Sequence, residues 1–347
     1  MNLADFANVI INNFVNNNQQ RSKIMKKPSS KNPNLSPITK TFLKDLQNRG
    51  GKPLYDLSPE EARMFLVNLQ RESHKHIDAE VADTTIYTGA EDGSVDLRII
   101  RPLGNNEKLP LIFYIHGGGW ILGNKETHDM LIRKLSIITN SVVVFPEYTL
   151  SPEAKFPTAI NQCYAALKYI DENSQEFNID PKKIVIAGDS VGANMAIGVT
   201  LKTKYDNGPK IIYQILLYPV TNADMNTKSY ELFKDGPWLT KRAMEWFFES
   251  YICKEKEKNN IYISPFKIPA ERLEHLPPAM IITAENDVLR DEGEMFARRL
   301  KDSGVDVYSV RVNGTIHDFM MLNALFHSVP AKCTMELIAS KLNKLLH

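Results

Sequence analysis

From about residue 82 onward, short apolar runs alternate with segments of helical period. Leu109 to Ile115 and Val142 to Phe145 are continuous apolar stretches, the pattern of parallel strands buried on both faces. Val95 to Ile100 alternates between apolar and polar residues, as a half-buried strand does. Ile184–Ala187, Ile211–Tyr218, Ala279–Ala284 and Val307–Val312 predict further strands. Helices are predicted between them at Thr127–Ile138, Ala159–Ile170, Ala193–Lys204 and Glu292–Leu300, with a last one running to the C-terminus. Such alternation predicts an α/β fold, a mostly parallel central sheet with helices on both faces. The rhythm stops over residues 220–275, an insertion at a strand end. Within it Thr240 precedes a helix bearing Met244, Trp246, Phe247, Phe248 and Tyr251, too aromatic to face water alone.

The first eighty residues carry helical patterns only. Leu3, Phe6, Ile10 and Phe14 mark one helix face, and Asn16 to Asn34 reads as a polar loop. Ser58-Pro59-Glu60-Glu61 is a helix start with a capping serine and a glutamate three residues on; Ala62, Phe65, Leu66 and Leu69 continue that helix. The expected organisation is a helical part over 1–80 and an α/β domain over 81–347, interrupted at about 220–275.

Charge narrows the partners. Forty-two basic and forty-one acidic residues leave a formal charge of +1, which gives no footprint for nucleic acid. Cys163, Cys253 and Cys333 stand far apart with no C-x-x-C pair, so neither a zinc site nor a redox pair is expected. The odd count favours a reducing, cytoplasmic compartment. No apolar run approaches the roughly 18 residues of a membrane span. Met1 to Val15 lacks the basic start of a secretory signal.

The chemistry concentrates in four places. Gly188-Asp189-Ser190-Val191-Gly192 is a G-x-S-x-G pentapeptide between a strand and a helix. Its glycines allow the sharp turn that exposes a nucleophilic serine. His116-Gly117-Gly118-Gly119-Trp120 follows the strand 109–115; consecutive glycines bare the amides that an oxyanion needs. His116 precedes the serine and is expected to brace that loop. Among the histidines after Ser190, His275 precedes a strand, His327 is expected inside the last helix, and His347 is terminal. His317 follows the strand 307–312 and is the candidate base. Asp287, after the strand 279–284, is the candidate acid; its rival Asp291 falls at a helix start, where a carboxylate is commonly structural. The order Ser…Asp…His is that of α/β hydrolases.

Together these segments resemble the hormone-sensitive-lipase-like family of α/β hydrolases, from about residue 40 to the end. Ser151-Pro152-Glu153-Ala154-Lys155-Phe156-Pro157 is similar to the family's A-P-E-x-x-F-P segment. Asp287 to Gly293 and His317 with Phe319 match its acid and base loops. The resemblance implies Ser190, Asp287 and His317 as catalytic triad and the amides of Gly117, Gly118 and Val191 as oxyanion hole. It implies a helical cap from 1–80 and from about 238–251. It also implies hydrolysis of short- to medium-chain carboxylic esters without metal or organic cofactor. Val191 stands where the family commonly has Ala, Ala193 where it has Gly, and Glu147-Tyr148-Thr149 where it has D-Y-R. The expected partner is a small ester substrate, and a homodimer is compatible with the sequence. An acyltransferase would use the same triad. The family's hormone receptors lack the histidine that His317 supplies.

Overall fold

The computed structural model describes residues 34–88 and 93–347. Its strands are β1 (Glu80–Tyr87), β2 (Ser94–Arg101), β3 (Leu109–Ile115), β4 (Val142–Glu147), β5 (Ile179–Asp189), β6 (Ile211–Leu217), β7 (Ala279–Asn286) and β8 (Val307–Ile316). They form one eight-stranded sheet in the order β1-β2-β4-β3-β5-β6-β7-β8. β1 and β2 pair antiparallel, as do β2 and β4; every later pairing is parallel. The fold is therefore the α/β class expected, with β3 and β5 at its centre. All seven residues of β3 are buried, in keeping with its unbroken apolar run.

β1 is the strand that the apolar pattern does not predict. It is a sheet edge, and of its eight residues Ile86 alone is buried. With neither face covered, it has no alternation to read.

The helices are α1 (Pro37–Arg49), α2 (Pro59–Glu72), α3 (Asp129–Thr139), α4 (Thr158–Glu172), α5 (Val191–Tyr205), α6 (Lys228–Leu232), α7 (Lys241–Tyr251), α8 (Ala270–Leu273), α9 (Arg290–Asp302) and α10 (Val329–Leu346). α2 starts with the capping box read from Ser58 and Glu61. α10 starts after its cap Ser328, so His327 lies ahead of the last helix and not inside it; its side chain is exposed. The helix face of Leu3, Phe6, Ile10 and Phe14 and most of the loop 16–34 lie outside the described residues.

Polar side chains tie α2 to loops at the sheet's carboxyl end. Gln70, buried on α2, donates to the carbonyls of Thr127 (2.5 Å) and Met321 (2.9 Å) and accepts from the amide of Asn323. Arg63 forms a two-pronged ion pair with Glu153 at 2.8 and 2.7 Å and donates to the carbonyls of Ile121 and Ser151. Lys155 caps the end of α7 by donating to the carbonyls of Ser250 (2.8 Å) and Ile252 (3.0 Å). The Ser151–Pro157 segment thus clamps α2 on one side and α7 on the other.

Candidate active site

Ser190 sits where β5 ends and α5 begins. Its backbone, at φ 54 and ψ −119, lies in a region that residues with a side chain rarely adopt. The turn is possible because β5, α5 and the end of β3 crowd together: a Cβ at Gly192 would strike the carbonyl of Ile115 and the backbone of His116. The Ser190 amide is held by the carbonyl of Leu217 at 2.8 Å. α5 is buried almost all round, so the serine rides on a rigid element whose N-terminus points at it.

Two further side chains extend a line from Ser190, supplied from the ends of β7 and β8. His317 follows β8 and places Nε2 at 2.9 Å from Ser190 Oγ. Asp287 follows β7 and places Oδ2 at 2.7 Å from His317 Nδ1. Its other oxygen accepts the amide of Leu289, which fixes the carboxylate's plane. All three side chains are buried. Burial opposes the charging of His317, but Asp287, Asp318 and Asp189 outweigh it and raise the imidazole to about 9. Tyr218 packs edge-on against the ring at a centroid distance of 4.8 Å.

The rival groups go elsewhere. Asp291 accepts the amide of Ser229 at 2.8 Å and pairs with Arg290. His275 and His347 are exposed. His116 is buried and donates from Nδ1 to the carbonyl of Gly117 at 2.8 Å, while Tyr148 donates to the His116 carbonyl. Burial and the neighbouring His128 lower His116 to about 3, so it stays neutral.

The glycine loop departs from expectation at its first residue. The amide of Gly117 donates to Asp189 Oδ1 at 3.0 Å, and a Cβ at Gly117 would meet the same carboxylate. That donor is spent inside the protein and is withdrawn from the expected oxyanion hole. Among the described residues, the amides of Gly118, Gly119 and Val191 have no acceptor within the protein. Gly119 adopts φ +64 with the ring of Phe247 from α7 directly over its Cα, so no side chain fits there. Trp120 stacks on Tyr251 at 4.1 Å and Phe248 leans on it, which accounts for the aromatic face of α7.

Asp189 is a buried group that the sequence did not single out. Tyr114 donates to it at 2.9 Å and His128 lies 3.3 Å away. Burial acts to raise its pKa, but His128 and Tyr114 outweigh burial and hold it below the usual carboxylate range. Among the described residues, no group of three or more His, Cys, Asp or Glu side chains is disposed to hold a metal ion. Among them, too, no helix is long and apolar enough to cross a membrane.

A family model of the alpha/beta hydrolase fold matches residues 112–321. The chain is 42% identical over 312 residues to a protein of Acanthamoeba polyphaga mimivirus named as an alpha/beta hydrolase; the match covers 90% of this chain and 88% of that one. It is 34% identical to an esterase of Gibberella moniliformis, over 83% of this chain and 90% of the relative. A solved structure, the thermostable esterase of Pseudomonas putida, matches with a TM-score of 0.88 and 43% identity, covering 92% of this chain and 99% of that one. Family, fold and relatives agree: the chain belongs to the hormone-sensitive-lipase-like α/β hydrolases and is an enzyme of the serine carboxylesterase type.

Proposed function

We propose that Ser190, His317 and Asp287 act as nucleophile, base and orienting acid in the hydrolysis of short- to medium-chain carboxylic esters. The observation that carries this is the unbroken line from Ser190 Oγ to His317 Nε2 (2.9 Å) and from His317 Nδ1 to Asp287 Oδ2 (2.7 Å). Neutral His317 takes the proton of Ser190 as Oγ attacks the ester carbonyl. The amides of Gly118, Gly119 and Val191 are the donors assigned to the oxyanion, in place of the set that included Gly117. Collapse of the tetrahedral adduct expels the alcohol, which takes its proton from His317 and leaves Ser190 acylated. Water, deprotonated by the same imidazole, then releases the acid and restores the serine. Asp287 keeps the proton of neutral His317 on Nδ1 and stabilises the imidazolium.

The described helices of the N-terminal part, α1 and α2, and the segment 220–275, α7 above all, are assigned as the cap over the acyl site. The support is the seating of Phe247 on Gly119 and of Tyr251 on Trp120. A reducing, cytoplasmic setting suits the three free cysteines.

Ser190→Ala tests the reading. Its kcat on p-nitrophenyl butyrate is expected to fall by roughly four to six powers of ten with the fold retained. A fluorophosphonate probe is expected to label Ser190. A variant that kept a tenth of the activity would remove Ser190 from the chemistry.

A further inference from the structure

Two carboxylates flank the imidazole of His317. Asp287 meets Nδ1. On the other side Asp318 Oδ1 lies 3.3 Å from Nε2, the nitrogen that also faces Ser190 Oγ. The residue after a buried histidine would ordinarily turn its carboxylate to water. Here Asp318 adopts φ 64, and its side chain is only 15% exposed. Trp238, from the insertion, holds it there: the indole Nε1 donates to Asp318 Oδ2 at 2.8 Å. Trp238 in turn packs on Phe42 of α1 with ring centroids 5.7 Å apart. The triad as described gives none of these three residues a part.

The chemistry of Nε2 says what Asp318 can do. In neutral His317 the proton sits on Nδ1 and Nε2 presents a lone pair, which offers nothing to an ionised carboxylate. In the imidazolium the Nε2 proton faces Ser190 Oγ, and the Asp318 carboxylate, 3.3 Å from Nε2, stabilises the positive charge through space. Asp318 therefore favours the charged imidazole, the form produced when the Ser190 proton moves. The other groups around the ring are Asp287 at Nδ1, Asp189 beside the nucleophile, Tyr218 edge-on, and Tyr114 hydrogen-bonded to Asp189. Among the described residues, Asp318 is the one carboxylate placed against Nε2 and tied to the insertion. Burial raises Asp318 itself, while His317 and the Trp238 N–H act to keep it ionised.

We propose that Asp318, held by Trp238, is a positioning residue that sets the basicity of His317, so that the seating of Trp238 on Phe42 tunes the proton acceptor. This deepens the proposed function and rests on Ser190 and His317 being nucleophile and base. When Trp238 leaves, Asp318 loses its buried donor and turns to water, and His317 becomes the weaker base of an ordinary triad.

The test is the pH dependence of kcat/KM for p-nitrophenyl acetate, from pH 5 to 10, in the wild type, Asp318→Asn and Trp238→Phe. Asparagine keeps the size of the side chain and the acceptor for the indole; phenylalanine keeps a ring and loses only the N–H and the second ring. The midpoint of the acid limb is expected to move down by about one pH unit in Asp318→Asn. In Trp238→Phe it is expected to move the same way by less, with kcat on the alkaline plateau reduced several-fold in both. A merely structural role would lower activity at every pH without moving the midpoint, and an unmoved midpoint in both variants overturns the inference. Should Asp318→Asn fail to fold, the midpoint in Trp238→Phe decides alone. A wild-type profile with no acid limb, or fluorophosphonate label on a residue other than Ser190, would instead remove the underlying triad.

Discussion

The amide of Gly117 donates to Asp189 Oδ1 at 3.0 Å, so the residue before Ser190 anchors the glycine loop that faces it. Asp189→Ala would leave that amide and the Tyr114 hydroxyl without an acceptor and His128 without its carboxylate. The expected loss of stability is about 3–5 kcal/mol, as for a buried pair broken on one side. If the anchor also places the amides of Gly118 and Gly119, kcat of the folded fraction falls roughly a hundredfold. Thermal unfolding and kcat measured on the same preparation separate the two effects. An undiminished kcat would make Asp189 a residue of stability alone.

Asp287→Asn and Asp291→Asn separate the two neighbouring carboxylates. The first replaces the group 2.7 Å from His317 Nδ1 and is expected to lower kcat on the order of 10⁴, because an amide favours the wrong imidazole tautomer. The second disturbs the bonds to Ser229 and Arg290 and is expected to cost about 1 kcal/mol of stability with kcat within a few-fold. A larger kcat loss in Asp291→Asn would exchange their roles.

The apolar runs that lead to Ser190 and Asp287 could be read because β5 from Ile184 onward and β7 are buried on both faces. β8, an edge strand buried only at Gly314–Ile316, could be read by its valines up to Val312 and not to its end at Ile316. β1 could not, since its edge position leaves nothing for the sequence to pattern. The donor set of the glycine loop could not be read either. Whether Gly117 is free depends on Asp189, 72 residues later in the chain, and local sequence does not say where that side chain turns. The same holds for Trp238 and Asp318, 80 residues apart. His317 and its neighbour could be named as a loop pair, but only the fold brings an indole from the insertion to the second of them.

Gly119 tests the seating of α7. With φ +64 and Phe247 over its Cα, Gly119→Ala is expected to destabilise by roughly 1–3 kcal/mol and to push Phe247 aside. Phe247→Ala removes the obstacle but leaves a void. The double variant is expected to be less destabilised than the sum of the two singles, with a coupling of at least about 0.5 kcal/mol. Additive effects, measured by chemical denaturation, would mean that backbone strain and not the ring forbids a side chain here.

Glu292 supplies the last prediction, on stability against pH. On α9 it is buried, and its Oε1 accepts the amides of Thr221 (2.6 Å) and Asn222 (3.1 Å), which fixes the start of the insertion. Burial raises its pKa to about 8, against the pull of those two amides. In the unfolded chain the group titrates near its ordinary value of 4.5. Between these values the folded protein holds a proton that the unfolded chain has lost. Its contribution to stability is therefore complete below about pH 4.5 and disappears as pH rises through about 8. One proton gives a slope of at most about 1.4 kcal/mol per pH unit over that window. His317 adds a similar fall between the ordinary histidine value of 6.5 and about 9. Glu292→Gln keeps an acceptor for both amides and cannot titrate, so it should flatten the curve below pH 6.5 and leave the His317 limb in place. Unfolding free energies from pH 5 to 9 read both. If the variant kept the wild-type slope between pH 5 and 6.5, Glu292 would be ionised in the folded protein, with its two amide bonds outweighing the cost of burial.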